Sequence, residues 1–161
     1  MQDGPQTDGP EPAGGEPQRP IAGALPMLLL RAREAVLEPA RPILRRYGLT
    51  EAQWRVLRML GGEGEMEATR LAKAVYLRGP SVTRIVRDLS AKNYVARRSD
   101  PQDGRVAIVS LCPAGRAIVE EVMPLIQEIA ARLRVIYGSE ELADLERRLR
   151  RLIDVAGGSD Q

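Results

Sequence analysis

The sequence predicts a mainly α-helical protein with a small β-wing, and three observations predict it. Apolar residues recur at helical spacing through most of the chain after residue 20; Val82, Ile85, Val86 and Leu89 form one such stripe. Two alternating segments, Tyr94 to Arg98 and Arg105 to Leu111, are separated by the turn-forming pairs Asp100-Pro101 and Asp103-Gly104. Charge concentrates on the same stretch: from Arg78 to Arg116 there are eight basic residues against three acidic, in a chain whose formal net charge is +2. A basic excess on a helix and a hairpin is the electrostatic footprint of a duplex-binding surface.

Composition narrows the function classes. The 161 residues make about one domain, and 43% hydrophobic residues are enough for a sizeable core. Phe is absent, so that core is built from Leu, Ile, Val and Ala. His is absent and Cys112 is the single cysteine. An internal disulfide and a multi-thiolate metal site are thereby excluded, and the commonest general base is missing. No enzyme, cofactor or metal is expected. There is neither an apolar run of about 18 residues nor a basic, apolar leader, so the expected location is cytoplasmic, away from membranes.

Taken in order, residues 1–20 hold five Pro and four Gly with almost nothing apolar, and read as a disordered tail. Residues 21–49 read as an N-terminal dimerisation region. Its helix runs from Leu25 to Tyr47, with Leu29, Leu30, Ala35, Val36, Leu37, Ile43 and Leu44 as candidate buried positions. Pro39 and Pro42 predict a kink or break near Glu38 to Arg41. Residues 50–112 read as the DNA-binding domain. Thr50 and Gln53 form a capping box for a helix over 51–61, closed by Gly61, Gly62 and Gly64. A short helix over 67–75 follows, then a Gly-containing turn and a helix over 80–91 with Pro80 as its first residue. Two short helices around such a turn make a helix-turn-helix, and the hairpin after them makes a winged one.

Residues 113–156 read as C-terminal dimerisation helices. The first, over 113–137, carries Ile118, Val122, Leu125, Ile126, Ile129, Leu133 and Ile136 on one stripe. Ser139 is the expected cap of the last helix, where Leu142, Leu145, Leu149 and Leu152 make a seam suited to helix–helix packing. Amphipathic helices at both ends predict a homodimer with two reading heads, which suits a pseudo-palindromic operator.

The residues PSVTRIVRDL, YVARRSDPQDGRVAIVSL and the following Ala-Gly resemble the MarR family of winged-helix regulators. The run LLLRAREAVLEPARPILRRYGLTEAQWRVLRML resembles more particularly the subgroup that represses homoprotocatechuate (4-hydroxyphenylacetate) degradation operons. This resemblance spans about residues 25–155. It implies a dimeric repressor of an aromatic-acid catabolic operon, relieved by a small phenolic or aromatic carboxylate. The alternatives are a regulator answering oxidants or drug-like ligands, and an effector-independent winged helix. Cys112-Pro113 stands where the family usually has a capping Thr, and Gly104 where the wing tip is often polar.

The expected DNA-binding residues are Ser81, Thr83, Arg84 and Arg87 on the recognition helix, with Arg98, Asp103 and Arg105 on the wing. Arg can take a guanine edge bidentately, and Ser and Thr reach phosphates or base edges. Arg105 is the candidate for the minor groove. By the family pattern Asp103 orients Arg105 rather than touching DNA. Arg97 and Arg98 face opposite ways along the strand, so at most one meets phosphate. For the effector, Arg33 and Arg41 fall on roughly one helix face, and with Trp54 they would suit an aromatic carboxylate; pairing with Glu34 or Glu38 is the competing use. Cys112 is expected to be an inert thiol.

Overall fold

The structure, a computed structural model, describes residues 21–157. The expected tail over 1–20 lies outside the described residues. The chain forms two bodies that divide between Val36 and Leu37. The first contains helix α1 (Ile21–Leu37), which starts four residues before the expected Leu25 and carries Pro26 inside it. Leu29, Leu30 and Val36 are exposed in the single chain rather than buried, as are Leu25, Met27 and Leu28.

The proline-driven break falls where the sequence places it. α1 ends at Leu37 and α2 (Ala40–Arg46) begins after Pro39, whose φ of −63° already suits a helix start. The capping box forms in full: Thr50 Oγ1 accepts from the Gln53 backbone N–H at 3.2 Å, and Gln53 Oε1 accepts from the Thr50 N–H at 3.0 Å. It opens α3 (Glu51–Glu63), which runs through Gly61 and Gly62 and stops only at Gly64, with φ 82°. Gly61 is helical, and α6 (Pro113–Tyr137) passes it closely; a Cβ there would lie 3.0 Å from Val119 Cγ1. Small size, not a stop signal, is what that glycine supplies.

α4 (Ala68–Ala74) and α5 (Gly79–Ala91) form the helix-turn-helix. β2 (Val95–Ser99) and β3 (Ala107–Leu111) form the wing, pairing antiparallel from Val95 opposite Leu111 to Ser99 opposite Ala107. The connection covers residues 100–106 and is longer than a two-residue turn at Asp103-Gly104. A third strand, β1 (Met66–Glu67), pairs with the other edge of β3, giving the order β1-β3-β2. Two residues carry no readable periodicity, so the sequence offered no sign of it. α6 has the expected limits, and α7 (Ser139–Gly157) follows. Ser139 is already helical; the Gly138 carbonyl takes the first α7 bond, from the Leu142 N–H at 3.0 Å.

The core of the second body gathers α2 to α6 around aliphatic side chains. Val56, Leu57, Leu71, Val75, Val82, Leu89, Val109 and Val122 are fully buried, and Trp54 joins them at 6% exposure. Arg55 ties two helices of this core together, donating from Nη1 to the Val75 carbonyl at 2.8 Å and pairing with Glu51 at 3.1 Å.

Three helices end in one motif. After α2, α4 and α5 the chain turns through a positive φ at Gly48 (63°), Tyr76 (51°) and Asn93 (57°). In each case the next N–H reaches back five residues: Leu49 to Leu44 at 2.9 Å, Leu77 to Ala72 at 3.0 Å, and Tyr94 to Leu89 at 3.0 Å. Gly and Asn accept that conformation readily, whereas for other residues it costs roughly 1–2 kcal/mol.

α6 docks on the wing through Gly115, which is buried against the backbone of Tyr94. The Cys112 N–H donates to the Tyr94 carbonyl at 3.0 Å, and a Cβ on Gly115 would collide with that same oxygen. Because backbone cannot rotate aside, Gly115→Ala is expected to destabilise the protein by about 3 kcal/mol. Urea denaturation measures this; an unchanged midpoint would contradict the close packing.

Candidate nucleic-acid interface

α5 is amphipathic by construction. Val82, Ile85, Val86 and Leu89 are buried, Thr83, Arg84 and Arg87 are exposed, and Ser81 is half-buried. Each polar side chain has a defined local state. The Thr83 hydroxyl donates to the Gly79 carbonyl at 3.1 Å, which leaves its oxygen as an acceptor. Arg87 sits 3.5 Å from Asp88 with its side chain 76% exposed, a loose pair that a phosphate can replace. Arg84 has no acidic partner among the described residues.

The wing tip is organised by two carboxylates. Asp100 accepts from the Gln102 N–H at 2.7 Å and from the Asp103 N–H at 3.4 Å. Its own N–H donates to the Val106 carbonyl at 2.8 Å, and the Val106 N–H returns to the Asp103 carbonyl at 2.9 Å. The Asp103 carboxylate takes the backbone N–H of Arg105 at 3.0 Å. Asp103 therefore acts on the path of the main chain, not on the guanidinium, and Arg105 projects exposed from a braced loop.

Arg98 pairs with Glu65, just before β1, at 2.8 Å, and both side chains are about half exposed, so this is a surface ion pair. Its neighbour Arg97 lies instead beside α5. Together with Ala68, Val82, Thr83, Val86, Arg87, Ser90 and Val109 it lines a groove of about 330 Å³ between α5 and the sheet. Strand alternation separates the two arginines, and without β1 nothing in the sequence identifies Glu65 as the residue beside Arg98.

Of the expected effector residues, Arg33 belongs to α1 and pairs with Glu34 at 2.7 Å. Arg41 is half-buried in α2, and Trp54 is a core residue of α3. Cys112 is half-buried at the N-cap of α6 and makes no side-chain capping bond. Among the described residues no group of three or more acidic or Cys side chains could hold a metal, and no helix is long and apolar enough to cross a membrane.

A helix with an exposed cationic face, packed beside a hairpin that presents an arginine at its tip, defines a winged helix-turn-helix DNA-binding protein. The family model described as MarR family matches residues 47–106, from the end of α2 to the wing tip. The homoprotocatechuate degradative operon repressor of Escherichia coli is 31% identical over 130 residues, covering 81% of this chain and 88% of that protein. A crystal structure of NadR in complex with 4-hydroxyphenylacetate superposes with a TM-score of 0.75 at 28% identity, covering 85% of this chain and 97% of that one. A mutant of Escherichia coli MarR complexed with operator DNA gives 0.75 at 25% identity, covering 81% and 94%. The chain belongs to the MarR family and is a transcriptional regulator, not an enzyme.

The two wing arginines make a direct test. Arg97→Ala is expected to weaken duplex binding, while Arg98→Ala loses an exposed ion pair worth about 1 kcal/mol or less and changes affinity little. If fluorescence anisotropy found the larger loss in Arg98→Ala, the assignment would be reversed.

Proposed function

We propose that this regulator is a cytoplasmic homodimer that represses an aromatic-acid catabolic operon and is released by a small phenolic or aromatic carboxylate. The observation that carries this reading is the likeness over 88% of the length of a repressor whose own operon degrades homoprotocatechuate. A structural neighbour that binds 4-hydroxyphenylacetate supports the ligand class. Dimerisation is supported by apolar surface on the terminal helices. Leu25, Met27, Leu28 and Leu30 of α1 are exposed in the single chain, as are Val135 and Ile136 of α6 and Ile153 and Val155 of α7. No residue of α7 is buried, and its Leu142, Leu149 and Leu152 are only half-covered. A soluble chain covers such surface against a second copy.

Release follows from linkage. The two recognition helices of a dimer must lie about 34 Å apart to enter successive major grooves. A ligand that binds better to another spacing lowers DNA affinity by its differential affinity for the two states. Arg33, Arg41 and Trp54 remain the proposed effector residues. The groove beside α5 supports a second location: Arg87 and Arg97 supply cations over an apolar floor of Val82, Val86 and Val109. A carboxylate seated there would compete with DNA outright.

The test is an anisotropy titration on duplex from the gene's own upstream region, at stated salt, with and without 4-hydroxyphenylacetate, homoprotocatechuate and benzoates. Release by an aromatic acid is expected, and equal affinity with every acid would refute the effector. Arg41→Ala should remove that release if the first location is right; if only Arg97→Ala does so, the groove is the site. For the reading head, Arg84→Ala is expected to weaken operator binding by about 1–3 kcal/mol. Arg105→Ala should weaken it while leaving the melting temperature unchanged.

A further inference from the structure

Tyr76 stands in the turn between α4 and α5, where the helix-ending motif calls for a positive φ that a tyrosine adopts only with strain. Of the three matching helix ends, two use Gly48 and Asn93 at the positive-φ position, and the third uses a tyrosine at φ 51°. A bulky aromatic is ordinarily held in such a state by packing. Tyr76 is 81% exposed, and the apolar contact that accompanies this motif comes from Leu77, which packs on the core. The phenol makes no hydrogen bond among the described residues. The turn around it is firmly held, since Arg55 grips the carbonyl of Val75, the residue just before.

The sequence around the turn is basic between Glu67 and Asp88, and Glu51 near it is paired with Arg55. Residues 68–87 contain Arg70, Lys73, Arg78, Arg84 and Arg87 and no carboxylate. In a helix-turn-helix the first helix crosses the phosphate backbone while the N-terminal part of the second enters the groove, so the turn between them meets phosphates. Tyrosine hydroxyls are among the side chains that position proteins on those phosphates. We propose that the Tyr76 hydroxyl donates a hydrogen bond to a DNA phosphate oxygen flanking the groove that α5 enters, and that the strained turn is retained to aim it. This rests on α5 and the wing being the duplex surface.

The experiment uses the full-length chain, with anisotropy on its upstream duplex and on an unrelated duplex of equal length. Tyr76→Phe keeps the ring and removes the donor. The proposed dimer carries two copies of the donor, so it is expected to lose on the order of a hundredfold in affinity on both duplexes, about tenfold for each hydrogen bond to a charged group, with an unchanged melting temperature. Because the donor is neutral it releases no counterion, so the slope of log Kd against log salt should stay at the wild-type value. Tyr76→Gly relieves the turn and should raise the melting temperature by about 2–4 °C while losing the same affinity. Wild-type affinity in Tyr76→Phe, a loss confined to one duplex, or a fall in the melting temperature of Tyr76→Gly would each overturn the proposal. Arg84→Ala serves as the reference. If it is weakened while Tyr76→Phe is not, only the tyrosine contact fails; if both bind like wild type, the reading head itself is misassigned.

Discussion

The reading head depends on β3 being enclosed on both edges. Its N–H and C=O groups are divided between β1 on one side and β2 on the other, and Ile108 and Val109 are buried in succession instead of alternating. A strand covered on both faces loses the in–out pattern of a hairpin on a surface. β1 leads directly into α4, β2 follows α5, and α6 begins two residues after β3. One central strand thus sets the positions of both helices of the helix-turn-helix and of the wing. The exposed ion pair between Glu65 and Arg98 spans the same sheet.

Around that frame, cations are distributed according to what local carboxylates leave available. Arg98 and Arg55 are engaged by Glu65 and Glu51, Arg87 is loosely paired, and Arg84 and Arg105 are open. In the wing, Asp100 and Asp103 bind backbone N–H groups, so their charge braces a loop instead of neutralising an arginine side chain. Binding a polyanion favours this division, because each unengaged guanidinium can displace a condensed counterion. An effector that changes the population of dimer geometries, or one that occupies the groove beside α5, would act against the same cationic surface.

Much of this was legible locally. The capping box at Thr50 and Gln53, the break at Pro39, the stripe from Val82 to Leu89 and the full extent of α6 all follow from interactions within a few residues. So do the exposed Thr83, Arg84 and Arg87, because an amphipathic helix that buries one face must present the other. The differences share a cause. Gly61 reads as a stop but is a contact with Val119, and Ser139 reads as a cap but Gly138 receives the first bond.

The sequence by itself determined the order and type of the long elements, the basic character of the head and the family, since periodicity, caps and charge are properties of neighbouring residues. Only the tertiary structure decided which arginine faces α5 and which is engaged, how Asp103 acts on Arg105, and that a tyrosine occupies the strained turn. Those facts depend on partners tens of residues away, such as Glu65 for Arg98, and on a two-residue strand too short to carry a pattern. Long-range pairing is decided by which surfaces meet, and no local spacing encodes it.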